Sequence, residues 1–408
     1  MNIYRPIGKG ILLPLLPIFV FALQALPAQT SLRIPIQNPK SKIQNPTQAP
    51  LRIPIQNPKS KIQNPLRVGV VGLTHTHVHW ILGRPKADDI VVVGIVEPNR
   101  DLAQRYARQH GFSMDLVFNT MDEMVAKTKP EAVTAFNSIY EHLATVEYCA
   151  PKGIHVMVEK PLAANWAHAK KMIALAKKHK IHLLTNYETT WYGSNEKAYE
   201  LVNGEKAIGS LRKIVFHHGH PGPVEIGCNR EFLDFLTDPK LNGGGALTDF
   251  GCYGANLATW LLKGQRPLAV TCLTSQMKPK IYPKVEDEAT ILLKYPSTQV
   301  IIQASWNWPY SRKDMELYGE KGVVECLNGT DMLVATKLED RGVPLKAPAL
   351  PEGRNDPFAY LAGVIRGNIE VKPNDLSSLE NNETVMMILD AAKRSAASGK
   401  TIVLGKVK

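Results

Sequence analysis

RVGVVGL at residues 67–73 and VVVGIVE at residues 91–97 decide the fold class. Each is a short, uninterrupted apolar run rich in β-branched residues, and each closes on a turn, the pattern of a strand buried on both faces. The stretch between them, His77–Lys86, has room for one short helix. Moving outward, Leu102–His110 reads as a helix stopped by Gly111, a residue suited to the left-handed cap position. AVTAFN (132–137), HVMVEK (155–160) and HLLTN (182–186) are further buried runs, with helical stretches around Leu143–Ala150 and Ala167–His179 between them. Strands alternating with helices imply right-handed crossovers, hence an α/β domain built on a doubly wound parallel sheet over residues 66–186.

The rhythm changes after Leu211. LRKIVFHHG, PLAVTCLTSQ, DEATILLKY, QVIIQASWNW and VVECLNG follow one another with little helix between them. Such a run predicts an α+β domain over residues 187–408 with a large, mostly antiparallel sheet. A final helix is expected over Leu379–Ala397.

Upstream of Leu66 the chain has a different character. Arg5 and Lys9 precede an apolar run, Ile11–Leu26, and a small residue, Ala28, follows it. This order matches a secretory leader over residues 1–30; the run is short for a membrane span and is interrupted by Pro14 and Pro17. Export is therefore expected, with no membrane span once the leader is removed. A misassigned start would instead make the protein cytoplasmic. Residues 31–65 contain LRIPIQNPKSKIQNP twice, at 32–46 and 51–65, and read as a semi-extended linker.

The formal charge of +12 is misleading as a whole. Residues 1–65 carry eight cations and no Asp or Glu, which leaves 41 basic against 37 acidic residues for the body. Nucleic acid is not expected as a partner, since so weakly basic a body suits phosphate-bearing small ligands equally well. Cys149, Cys228, Cys252, Cys272 and Cys326 lack the close spacing of a zinc or redox pair and read as buried thiols.

Three stretches carry chemistry. Gly72 ends the first strand where a dinucleotide pyrophosphate meets the backbone of a strand-to-helix turn. The full G-x-G-x-x-G pattern is absent, because Thr74 and His77 occupy the second and third glycine positions. Glu97 ends the second strand, where a carboxylate accepts from ribose hydroxyls; this favours NAD, while Arg100 three residues on leaves NADP open. Next, GIHVMVEKPL places Glu159 and Lys160 at the carboxyl end of a strand, facing the ligand crevice. Finally, GGGALTDFGCYGANL (243–257) leads into a helix with Asp249 and Tyr253 on one face and Asn256 close to the same stripe. A phenol there can exchange the proton of a carbinol while hydride moves to a nicotinamide.

Taken together, VGVVGL, Glu97, AFNSIYEH, HVMVEKPL and GGGALTDFGCYGANL resemble the glucose-fructose oxidoreductase, inositol dehydrogenase and MocA family over roughly residues 66–405. The resemblance implies a Rossmann domain followed by an open-faced sheet domain, with homo-oligomers made through that sheet. It implies NAD or NADP as cofactor and a sugar or polyol as substrate. Lys160 would contact the reacting hydroxyl, with a cis peptide before Pro161, and Asp249 and Tyr253 would complete the catalytic set. Gly72, Thr74, His75, His77, Glu97, Arg100, Asn137, His142 and Glu159 are the expected cofactor contacts.

Asn186, His218, His220, Asn256 and Trp308 are the expected substrate contacts, the histidines in a loop-proximal HHGHPGP and Trp308 as a ring to stack on a sugar. No metal is expected, since His217, His218 and His220 have no acidic or Cys partner in the sequence around them. Two other readings use the same scaffold: cofactor-recycling glycoside cleavage, and a non-catalytic sensor of dinucleotide or sugar.

Overall fold

The computed structural model describes residues 64–405; the leader-like segment and nearly all of the repeat linker lie outside the described residues. Six parallel strands, β1 (Leu66–Val71), β2 (Ile90–Val96), β3 (Val117–Phe118), β4 (Ala132–Ala135), β5 (His155–Glu159) and β6 (Leu183–Asn186), make the first sheet in the order β3-β2-β1-β4-β5-β6. The order reverses between β1 and β4, which opens a crevice outside the carboxyl ends of those strands. Helices α1 (Val78–Leu82), α2 (Arg100–His110), α3 (Met121–Thr128), α4 (His142–Cys149) and α5 (Trp166–His179) make the crossovers.

Local chemistry sets their ends. The Asn99 side chain accepts from the Leu102 N–H to start α2, and Gly111 ends it at φ +72°. Asn165 starts α5 in the same way, through the His168 N–H. Only the five residues of α1 are helical in the stretch where a helix was expected between β1 and β2, because residues 72–77 form a turn folded over the strand ends.

After α6 (Gly193–Tyr199), β7 (Leu211–Gly219) opens a second sheet, followed by α7 (Arg230–Leu236) and α8 (Ala246–Leu261). The other strands are β8 (Ala269–Ser275), β9 (Glu288–Lys294), β10 (Gln299–Ser305), β11 (Arg312–Gly319), β12 (Val323–Cys326), β13 (Asp331–Ala335), β14 (Val343–Lys346) and the two-residue β15 (Ile402–Val403). Their order is β14-β13-β12-β11-β7-β10-β9-β8-β15. All neighbouring pairs are antiparallel except β7 with β10, which run parallel.

Every residue of α8 is buried, and the helix packs against β7, β9, β10 and α10 (Leu379–Ser398). One face of the second sheet is thereby covered. The covered residues share a continuous apolar core with β4, β5 and α5 of the first sheet.

A helix absent from the sequence reading, α9 (Pro357–Ile365), returns from the second sheet to the first. Its Phe358 and Leu361 pack with Leu66, Val68 and Val70. Arg366 grips Glu131 with two hydrogen bonds of 2.6 and 2.9 Å, and Arg84 pairs with Asp356 at 3.0 Å. Cys149, Cys252, Cys272 and Cys326 are buried and Cys228 is half-buried, all as free thiols, in keeping with their scattered spacing. No helix among the described residues is long and apolar enough to cross a membrane.

Candidate active site

The crevice at the strand-order reversal is built on close backbone approach. Gly72 sits at φ +78°, and a Cβ there would lie 2.7 Å from the Asn137 backbone at the end of β4. Thr74, in the place of a second glycine, is accommodated because its hydroxyl turns onto the Phe136 carbonyl at 3.3 Å. Glu97 is 3% exposed; its carboxylate accepts from the Leu73 N–H at 2.9 Å and the Asn99 N–H at 2.8 Å. It therefore pins the turn to the end of β2 and still has acceptor sites left for ribose hydroxyls. Arg100 reaches the Val117 carbonyl at 3.3 Å, so its guanidinium leans toward β3.

Two buried acceptors near this turn have no partner: Asn137 Oδ1 and His142 Nε2. His142 Nδ1 lies 3.2 Å from the Leu162 carbonyl, which places the ring proton there and leaves Nε2 bare. Burial pulls the His142 pKa down to about 4, so the ring is neutral. A glycine turn at positive φ, a carboxylate at the end of β2 and two unfilled acceptors fit a bound dinucleotide with its hydroxyl and amide donors.

The reacting end is assembled from both halves of the fold. Lys160 follows β5, with a cis bond to Pro161, and its ammonium pairs with the Asp249 carboxylate of α8. The same ammonium reaches the Asp249 carbonyl at 3.1 Å, which leaves one N–H for a ligand. Both side chains are almost wholly buried. Burial alone would lower the Lys160 pKa and raise that of Asp249, but the pairing outweighs it and both stay charged.

Trp306, fully buried, donates its indole N–H to Asp249 Oδ2 at 2.9 Å and so fixes the carboxylate. Tyr253 lies one turn further along α8, its ring centre 5.1 Å from Lys160 Nζ and 5.6 Å from Lys313 Nζ. Burial holds its phenol well above the usual pKa, so the group is protonated at neutral pH.

The α8 register is set by the glycine run. Gly243 and Gly245 let the chain pass against the carbonyls of Ala164 and Glu286, where a Cβ would collide. The Glu286 carboxylate then caps the helix, accepting from the N–H groups of Gly245 at 2.8 Å and Leu247 at 3.2 Å.

A polar chain lies over the ends of β1, β5 and β6. His77 Nδ1 meets Glu159 Oε2 at 2.9 Å, the Asn186 amide donates to Glu159 Oε1 at 2.7 Å, and Trp191 donates to Asn186 Oδ1 at 2.9 Å. Burial alone would raise the Glu159 pKa, but His77 and its other partners carry it down to about 2. His75, His77 and Glu159 offer ligand atoms within 4.8 Å of one another, the spacing of a metal group. His75 Nδ1, however, already accepts from the His77 N–H at 3.1 Å, so its proton sits on Nε2 and no lone pair remains for an ion. Two ligands fall short of the three protein ligands a catalytic zinc uses.

Several expected substrate contacts need correction. Asn256 is fully buried, and its amide donates to the Leu376 carbonyl at 2.8 Å and to Asn381 Oδ1 at 2.9 Å. It ties α8 to α10 instead of facing substrate. Trp306 and Trp308 lie just beyond the end of β10 at Ser305. Trp306 enters the site, whereas Trp308 stacks under Arg312 at 4.6 Å.

His218 is fully buried beside Tyr253, ring centres 5.9 Å apart, with neither ring nitrogen partnered. His220 is half-buried against Phe250; its Nδ1 accepts from the Gly222 N–H at 3.0 Å, leaving Nε2–H to donate. An acidic partner for His217 does exist: β11 brings Asp314 to 3.1 Å. Lys313 was missed as a site residue, since it reaches the crevice only through pairing of β11 with β7 in the second sheet.

With this geometry in hand, residues 66–187 match the oxidoreductase family model described as an NAD-binding Rossmann fold, and residues 196–325 match the GFO/IDH/MocA C-terminal domain. Trans-1,2-dihydrobenzene-1,2-diol dehydrogenase of Xenopus tropicalis is 25% identical over 314 residues, 75% of this chain and 90% of that protein. The human protein of the same name is 24% identical over 303 residues, 71% of this chain and 83% of its own. Among solved structures, the aldose-aldose oxidoreductase of Caulobacter crescentus complexed with glycerol has a TM-score of 0.68 at 22% identity, covering 84% of this chain and 100% of that one. An inositol dehydrogenase homolog from Azotobacter vinelandii complexed with NAD+ has a TM-score of 0.70 at 17% identity, covering 84% and 98%.

Proposed function

The chain belongs to the GFO/IDH/MocA family of NAD-binding oxidoreductases, and from that premise we propose that it interconverts a secondary alcohol of a sugar or polyol-like substrate with the corresponding carbonyl. The observation that carries this reading is the buried Lys160–Asp249 pair beside Tyr253, at the carboxyl ends of the parallel strands. When bound, the nicotinamide supplies the hydride acceptor or donor. All remaining work falls to side chains of this chain.

Lys160 directs its remaining N–H at the reacting oxygen and stabilises negative charge that develops there. Asp249, braced by Trp306, keeps that ammonium charged and aimed. Tyr253 is held protonated by burial, so its phenol gives a proton to the oxygen in carbonyl reduction; in alcohol oxidation the phenol first loses its proton to solvent, and the phenolate, beside the Lys160 and Lys313 side chains, takes the hydroxyl proton. His220, with Nε2–H to donate, is placed to hold a neighbouring hydroxyl. Gly72, Glu97, Asn137 and His142 would hold the dinucleotide, with NAD preferred over NADP because the Glu97 carboxylate repels a 2′-phosphate.

The leader-like residues 1–30 support export, and the uncovered face of the second sheet supports homo-oligomers. The test is Tyr253→Phe. Turnover should fall roughly 10²- to 10⁴-fold while NADH affinity, followed by fluorescence, stays within about twofold. Unchanged turnover would remove Tyr253 from the chemistry.

A further inference from the structure

A cavity of about 500 Å³ lies between α6, the chain around residues 348–354, α9 and the segment 375–377, and none of Lys160, Asp249 and Tyr253 lines it. Its Trp260 wall sits three turns along α8 from Asp249, about 16 Å of helix rise. Its walls are aromatic. Trp260 stacks on Tyr199 with ring centres 4.4 Å apart, and Trp191 meets Tyr360 edge-on at 5.5 Å. Glu196, Asp375 and Arg354 supply charge of both signs, and the guanidinium acts on both carboxylates.

Lys197 is already engaged by Glu200 at 2.8 Å and Glu205 at 3.1 Å. Two hydroxyls on the lining lack partners: Ser377 Oγ, on a residue only 2% exposed, and Thr190 Oγ1. Buried polar atoms are nearly always satisfied in a native protein, so each marks a place for a ligand group or water.

We propose that this cavity is a second ligand site, for a neutral pyranose-sized polyol or one sugar unit of a glycoside. Flat aromatic walls receive the C–H face of a sugar ring, carboxylates accept from its hydroxyls, and a guanidinium and small hydroxyls complete the set. A net anion would meet Glu196 and Asp375, and a net cation would meet Arg354; a neutral polyhydroxyl compound satisfies all three. The volume suits a monosaccharide.

The site is also joined to the reacting end. The Trp191 ring lines the cavity, while its indole N–H holds Asn186, which holds Glu159 beside Lys160. This inference goes beyond the catalytic reading and does not rest on it.

The test is calorimetric titration of the full chain, without nicotinamide, using glucose, galactose, mannose and their methyl glycosides. The same titrations are run on Asp375→Asn and on Glu196→Gln, a substitution at an exposed position with little effect on folding. At least one sugar should bind saturably, and each variant should weaken that binding at least tenfold while leaving the unfolding midpoint in place. Absence of binding by every sugar, or affinities unchanged in both variants, would overturn the proposal. Neither result bears on turnover at Lys160, so the two readings fail separately.

Discussion

At the scale of single residues, several side chains have surroundings that leave one role open. Gly72 is the clearest, since φ +78° and the 2.7 Å approach to Asn137 exclude any Cβ. Gly72→Ala should therefore cost about 1–3 kcal/mol of stability and weaken NADH binding, both read by titration and thermal melting. Lys160→Ala should abolish turnover, and it should also destabilise the fold by about 3–5 kcal/mol, because it strands the buried Asp249 carboxylate. Trp306→Phe is milder: it removes one hydrogen bond to Asp249 and should lower kcat with a small change in melting temperature.

That Lys160, Asp249 and Tyr253 come together was legible in the sequence, because EKP and GGG-x-L-x-D-x-G are local patterns with local consequences. Asn256 was misread for a physical reason. Helical spacing tells which residues share a stripe, but on a helix buried all round it does not tell which neighbour the stripe meets.

At the scale of elements, α8 and the ends of β4 and β5 carry the site, and both can be tested. Glu286 caps α8 from another segment, so Glu286→Ala should cost on the order of 1 kcal/mol and loosen the Asp249 end of the helix, seen as lost activity beyond lost stability. The neutral histidines around the crevice predict a pH dependence. His142 and His220 are drawn to about 4, and His218 to about 3, chiefly by burial. Between about pH 6.5 and 4 the unfolded chain holds protons that the folded chain does not, so stability falls as pH falls. The slope is about 1.4 kcal/mol per pH unit for each such ring, and His142→Asn should flatten it in denaturant melts.

The strands were readable wherever a run was apolar and bounded. LRKIVFHHG coincides with β7 from end to end. The helix α9 was not, because it follows a Pro- and Gly-rich stretch and its partners in β1 lie nearly three hundred residues earlier in the chain.

At the scale of the whole molecule, two sheets meet along α8, and one face of the second sheet stays bare. Leu273 on β8 and Leu292 on β9 are 71% and 38% exposed on that face, an apolar surface suited to a second copy. For the homo-oligomer proposed through this face, Leu273→Lys together with Leu292→Lys should shift sedimentation to monomer, with the fold intact. On the proposed function both halves serve one reaction, the first sheet holding the dinucleotide and α8 presenting the acid–base groups. Its most direct test is reduced-nicotinamide formation by the full chain with NAD+ or NADP+ over a panel of monosaccharides, polyols and vicinal diols. Substrate-dependent reduction with at least one member, faster with NAD+, is the expected result; saturable NADH binding with no reduction by any member would overturn the shared reaction.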